Sequence, residues 1–292
     1  MIALQLLVNG LIAGSIYALI AAGFSLIYSV NRFMHFAHGA VVTVCAYLLY
    51  AFFAVLGLNF FLACVFTLIS GALLGWLMHA VLYRPLRNRG GSNAVMLVTS
   101  IGLMIFLENL MLLIFGADVK TVGFLKVREG LHIAGVIVTP LQLVIIGASA
   151  LLLFGLWFLL NKTNMGMVLR AVADDAELAR ISGIDANRVH TWSYMVGSGL
   201  AAFAAIFIAL EQNIEPIMGT MLIVKGFTGA VIGGVTSVPG AVVGSYLLGI
   251  VENVGIWWLP SGWKDAIAFT LLFLFLLLKP SGIFGVNKGV RN

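Results

Sequence analysis

Ile2-Ala-Leu-Gln-Leu-Leu-Val-Asn-Gly-Leu-Ile-Ala-Gly-Ser-Ile-Tyr-Ala-Leu-Ile-Ala-Ala-Gly-Phe-Ser-Leu-Ile-Tyr28 contains no Lys, Arg, Asp or Glu. A bilayer core about 30 Å thick needs roughly 20 apolar residues wound as a helix, so this stretch is long enough to cross. It is too long for the apolar part of a signal peptide and no Lys or Arg precedes it, so it reads as the first span. Six further stretches meet the same test, at 37–57, 60–83, 94–116, 136–160, 191–210 and 266–284. The run from Met221 to Trp258 is also apolar, but it is too long for one helix, and Gly233, Gly234, Pro239 and Gly240 interrupt its middle. Two short helices meeting at a bend are expected there. The expected fold is all-α, a polytopic membrane helix bundle of about eight to nine spans forming one transmembrane domain over 1–292.

Composition agrees. Apolar residues make up 62% of the chain and charged residues 9%, against roughly 25% charge in a soluble domain. So few charges cannot build a water-facing surface, and membrane lipid is the expected surrounding. The formal charge of +5 comes from 16 Lys and Arg among 292 residues with no basic stripe, so nucleic acid is not an expected partner. Cys45 and Cys64 both lie in apolar runs. They read as small packing residues, a bridge requiring that their two helices meet.

Lys and Arg in short loops mark the cytoplasmic side. Arg84, Arg87 and Arg89 crowd one loop, Lys162, Arg170, Arg180 and Arg188 occupy the longest, and Lys279, Lys288 and Arg291 mark the tail. Alternation then puts Arg32 inside, and the N-terminus and the loop from Gly116 to Gly135 outside, with Lys120, Lys126 and Arg128 as exceptions. An outside start and an inside tail require an odd number of crossings, which seven spans plus a pair that enters and leaves from outside satisfy. Whether that pair crosses fully or stops midway is left open.

Gly pairs four apart recur in the spans: Gly10 and Gly14, Gly71 and Gly75, Gly229 and Gly233, Gly240 and Gly244. Lipid supplies no hydrophobic drive between helices, so close approach at small residues is the expected packing device. The other reading of each pair is chance in a Gly-rich helix. Gly39-Ala-Val-Val and Gly240-Ala-Val-Val, each followed by Tyr-Leu-Leu and preceded by a break, form a weak internal echo. Paired broken helices in two halves of a transporter mark a pathway at the repeat interface; chance resemblance is the other reading.

The most informative segment is 161–190, expected as a cytoplasmic loop. Within it Asp174 to Ile184 has the marks of one short helix of about eight residues, roughly 12 Å long. Asp174 with Glu177 three residues on forms an Asp variant of the capping box, and Gly183 suits the left-handed position that ends a helix. Leu178 and Ile181 stand three apart on one face, with Ala179 and Ser182 beside them, so a partner could approach closely. The alternative is a surface helix lying on the headgroups.

Glu177-Leu178-Ala179-Arg180-Ile181-Ser182-Gly183 resembles the E-A-A-x-x-x-G signature of ABC importer permeases, with Leu178 in place of one Ala and without the Ile-x-Leu-Pro that closes the longer signature. Other stretches are similar to the permeases of branched-chain amino acid ABC importers, specifically the shorter, LivH-type subunit. These are Asn9 to Leu19, His35-Phe36-Ala37-His38-Gly39 (His35 replacing Asn), Arg84-Pro85-Leu86-Arg87, Asn161-Lys162-Thr163-x-Met165-Gly166, Arg170-Ala171 and Gly183-Ile184. The resemblance covers essentially the whole chain. It implies a multi-pass subunit of the bacterial inner membrane, forming half of a translocation pathway with a sister permease. Two ATPase subunits would bind ATP and Mg, and an extracytoplasmic binding protein would deliver substrate. Asp174, Glu177, Leu178, Ala179, Arg180, Ile181 and Gly183 would then couple to the ATPases. The chain has no G-x-x-x-x-G-K-[S/T] phosphate loop, so no cofactor is expected in it.

Charge within a span costs about 3 kcal/mol on the insertion scale and is a functional suspect by default. Glu108 with Asn109, and Glu252 with Asn253, therefore either line the path or fix packing between helices. Lys225, Glu211 and Glu215 read as residues near span ends that snorkel to the interface. His35 and His38 have no Cys or acidic companion, so they suggest no metal site; they mark a helix break that could face the path. Trp257, Trp258 and Trp263 fit an interfacial belt on the outer side. A secondary transporter or channel working without ATPases is the alternative function. An intramembrane enzyme is disfavoured, because the chain lacks Gly-x-Ser-x-Gly, His-Glu-x-x-His and a paired Asp motif.

Overall fold

A computed structural model describes residues 2–124, 130–133 and 135–285; Lys126, Arg128, Lys288 and Arg291 lie outside them. In chain order the helices are α1 Ile2–Asn31, α2 Ala37–Tyr50, α3 Phe60–Met78, α4 Arg84–Asn88, α5 Asn93–Phe115, α6 Pro140–Lys162 and α7 Asn164–Asp174. They continue with α8 Ala176–Ile181, α9 Ala186–Glu211, α10 Met218–Gly233, α11 Val238–Gly255 and α12 Lys264–Leu278. A wide π turn, Ala51–Val55, prolongs α2, and another, His79–Tyr83, fuses α3 to α4. Eight of the resulting helical stretches are long and apolar enough to cross a membrane, and α10 is a shorter apolar helix.

The start of the fifth stretch differs from expectation. Residues 136–138 are not helical; β2 (Val136–Val138) pairs antiparallel with β1 (Leu131–Ile133). Helix α6 begins at Pro140 because Thr139 and Gln142 cap it reciprocally and Pro at the first turn needs no N–H partner. Local cap chemistry here outweighs the apolar run that joins Val136 to the helix.

The bundle has two ends. The N-terminus, the hairpin, the 212–217 segment and the Trp257–Trp263 turn gather at one: Gln5 bonds to Ile137, and Lys120 bridges to Ile214. At the other, Arg32 donates to the Ala173 carbonyl and Arg87 to Asn31. We refer to the tryptophan end and the basic end.

Helix α1 runs through the centre, its residues from Ala18 to Ile27 almost wholly buried. Helix α11 lies antiparallel against it, with Gly10 and Gly14 meeting the backbone of Gly249, Ile250 and Tyr246. The other Gly pairs also sit at crossings. A Cβ on Gly71 or Gly75 would strike Ala202 or Ser198 of α9, and Gly229 and Gly233 meet Gly244 and Gly240 across the α10–α11 hairpin. Backbones touch where only hydrogen stands in for a side chain, the packing mode open to helices in lipid. Large apolar residues of α3, α5, α6 and α12, such as Leu73, Leu113, Leu151 and Leu277, are exposed at the perimeter. Cys45 and Cys64 are free.

The bent pair turns at Gly234, whose positive φ of 110° suits glycine. Ser25 donates to the Val235 carbonyl at 2.7 Å, and Ile283 and Phe284 of the tail bond back to Ile232 and Gly233. The turn thus reaches the basic end. Two other segments between helices are irregular, 32–36, where Phe33 and His35 are buried, and 212–217, where Ile214 and Pro216 are. The helices that follow them, α2 and α10, meet: Gly39 and Gly219 are in mutual backbone contact, and the Thr43 hydroxyl accepts the Gly219 N–H at 2.9 Å. The echo pairs Gly39 with Gly240, but Gly240 begins α11 at the basic end. The interior partner of Gly39 is Gly219.

Candidate functional site

Four groups of polar residues stand out against this apolar background. The first lies toward the tryptophan end, between α1, α10, α11 and α12. Glu252 is fully buried; its carboxylate accepts from the Tyr17 hydroxyl at 3.1 Å and from Lys225 Nζ at 3.4 Å. Lys225 also pairs with Asp265 at 3.0 Å, and its ammonium stands 5.4 Å from the Tyr17 ring centroid. The Asn253 amide donates to the Gly249 carbonyl while its oxygen accepts from Lys264 at 3.0 Å. Lys225 is thus not an interfacial residue: it lies in the middle of α10, its side chain 14% exposed. A single cation in a long apolar run, the only charge between Glu215 and Glu252, was the available signal. Tyr17 and Asp265 had none, since their partners are distant in sequence.

Glu108 forms the second group. Its carboxylate accepts from the Thr220 backbone N–H at 3.0 Å and hydroxyl at 2.7 Å, so it caps the interior start of α10 from α5. Negative charge at that helix end satisfies free donors and complements the helix dipole. Asn109 is exposed and bonds to the Ile105 carbonyl. Both border a cleft of about 420 Å³ with Glu215 and Ile217.

The third group occupies the basic half. His35 and His38 are fully buried in the packed interior. His35 Nδ1 lies 3.0 Å from the Tyr83 hydroxyl, and the His35 ring stands edge-on to Tyr194 at 5.2 Å. Tyr194 stacks on Tyr83 at 5.2 Å and on His79 at 5.3 Å, and His190 adjoins His79 at 6.3 Å. Arg87 closes the seam through Asn31, which also donates to Ser193. Of these, the sequence pattern singled out His35 and His38 for the path and Arg87 as a cytoplasmic marker.

The fourth group is the short helix at the basic end. The segment 161–190 is not a loop with one helix but two helices, α7 and α8, beyond α6. Asp174 ends α7; the cap is Asp175, which accepts from the N–H groups of Glu177 and Leu178 at 2.9 and 3.0 Å. The two Asp residues are adjacent, and only the path of α7 decides which faces the free N–H groups. α8 has six residues rather than eight. Gly183 ends it with a φ of +86°, as its position suggested. Ala179 turns inward against Val189 and Val172, so it is not beside a partner surface. Leu178 and Ile181 are 61% and 80% exposed, with exposed Glu177 and Arg180 around them.

Comparison with known proteins matches this architecture. The chain belongs to the family described as the branched-chain amino acid transport system permease component, whose model matches residues 6–276. It is 35% identical to the high-affinity branched-chain amino acid transport system permease protein BraD of Pseudomonas aeruginosa, over 97% of this chain and 95% of that protein. It is 33% identical to the corresponding LivH of Escherichia coli over the same shares. Among solved structures, PsaBC from Streptococcus pneumoniae in complex with Fab aligns with a TM-score of 0.51 at 17% identity, covering 94% of this chain and 92% of that one; this likeness concerns the fold alone. The chain is accordingly a permease subunit of the cytoplasmic membrane and not an enzyme.

Proposed function

We propose that this chain is the shorter permease subunit of an ATP-driven importer of branched-chain amino acids and forms half of the translocation pathway. Its partners in this reading are a sister permease, two ATPases that bind ATP and Mg, and an extracytoplasmic binding protein. The basic end is cytoplasmic. The observation that carries the reading is α8: a capped helix too short to span anything, held by Ala179 on a small apolar core and presenting Leu178 and Ile181 outward. An exposed apolar pair rimmed by charge suits a groove in a partner. Asp174 to Gly183 would transmit ATP-driven closure to α7 and α9, which flank it in sequence.

Co-purification of the tagged chain with its candidate ATPases tests this. Ile181→Asp leaves the fold untouched, because that side chain is exposed, and should reduce ATPase recovery at least tenfold. Gly183→Trp, which puts a side chain on a left-handed residue, should do the same. Undiminished recovery with both variants sinks the assignment of α8. If the wild type recovers no ATPase and the reconstituted chain alone moves solute, a secondary transporter is the correct reading.

A further inference from the structure

Between α1, the 212–217 segment, α10 and the start of α12 lies a cleft of about 460 Å³, within the range of small-molecule sites. Its charged wall carries Lys225 and Lys264 against Asp265 and Glu215, with the Tyr17 ring beneath Lys225. Its apolar wall is built by Ile16, Ile208, Met218 and Leu222. We propose that this cleft is a station for a zwitterionic α-amino acid with an aliphatic side chain, in the half of the protein nearest the tryptophan end. The inference deepens the importer reading and rests on it.

Charge carries the argument. Two cations and two carboxylates line the cleft, with buried Glu252 behind Lys225, so both signs are offered to a neutral molecule bearing both. Lys225 is held in place by buried Glu252, which no solvent competes for, and by the face of Tyr17. An ammonium has three donors, and the two carboxylates near it leave one for an incoming carboxylate. Asp265 is 53% exposed and is the partner free to move. An arriving amino acid can set its carboxylate on Lys225 and its ammonium on Asp265, replacing one ion pair by two. No charge is left unpaired during entry, which limits the desolvation penalty that otherwise opposes ions at membrane depth. The apolar wall then receives the side chain, and a chain longer or more polar than an aliphatic one gains nothing there.

The test uses the complete transporter in proteoliposomes, with leucine as the probe. Uptake per recovered complex should fall at least tenfold in Lys225→Gln; a smaller loss overturns the cleft while leaving the importer reading intact. If Lys225→Gln does not assemble, Ala13→Cys on the cleft wall, with Cys45 and Cys64 replaced by Ala, decides the matter. Leucine should slow its labelling by a charged maleimide at least threefold, whereas isopentylamine, which lacks the carboxylate, should not. Equal labelling with and without leucine, or equal protection by the amine, overturns the proposal. Absence of leucine uptake by the wild type overturns the importer reading and the cleft together.

Discussion

The two polar halves of this protein handle burial in opposite ways. Toward the tryptophan end, Lys225, Glu252 and Asp265 are full charges that face one another beside an open cleft. Toward the basic end, His35, His79, His190, Tyr83 and Tyr194 are rings in close mutual contact, Tyr194 stacked on Tyr83 and His79, His35 edge-on to both tyrosines and His190 tilted on His79. A buried charge must be paired or it costs several kcal/mol; a buried hydroxyl or imidazole nitrogen without a partner costs less, about 1–3 kcal/mol, against which ring contact contributes about 0.5–1.5 kcal/mol per pair. In the basic half several side-chain atoms, including His38 Nδ1 and Nε2, His79 Nε2 and the Tyr194 hydroxyl, have no partner among the described residues. In the charged cluster only Glu252 Oε1 lacks one. Completeness of pairing, rather than polarity as such, separates the two clusters; Arg87, the charge that closes the aromatic seam, also has one nitrogen without a partner among the described residues.

That contrast can be broken by substitution. Glu252→Ala should have the largest effect, because it strips Lys225 of its buried counter-charge and leaves the Tyr17 hydroxyl without an acceptor. Loss of about 3 kcal/mol is expected, read as unfolding of the purified chain in mixed micelles. A loss under about 1 kcal/mol would mean that water reaches Lys225 and the pair is not buried in the working protein. Tyr83→Phe comes next: it removes the hydrogen bond to His35 at 3.0 Å but keeps the stack, at a cost of about 1 kcal/mol in the same assay. Tyr194→Phe should be smallest, within about 0.5 kcal/mol of wild type, since that hydroxyl bonds to nothing described. If Tyr194→Phe cost more than Tyr83→Phe, the seam would be a bonded network and the contrast would fail.

Several details of the fold were legible in the residues. The existence and order of the spans followed from apolar runs, although α6 begins at Pro140, α9 already at Ala186 and α12 ends at Leu278, and the bend followed from Gly233 to Gly240. The end of α8 followed from Gly183, because a left-handed residue is a local demand. The four Gly pairs were readable as contacts but not as partners: nothing in Gly10 and Gly14 says that Gly249 will meet them. Helix α7 was missed although Met165, Val168, Leu169 and Val172 recur at helical spacing; at eleven residues it is too short to cross a membrane, and only Val30 and Val189 show which surface it covers. The assignment of Lys225 to an interface failed for a related reason, since snorkelling is the cheaper outcome for a lone lysine unless a distant carboxylate stands ready.

The sequence by itself determined that the chain lives in a membrane, where its seven clear apolar runs lie, which end is basic and where a short helix stops. These properties are sums over contiguous residues or single-residue backbone preferences, and each is settled within one or two turns. Only the tertiary structure decided that Tyr17 meets Glu252, that Gly39 meets Gly219 and that Glu108 caps α10. Helix pairing in lipid rests on shape complementarity between small residues far apart in the chain, and no local free energy encodes which surfaces will fit.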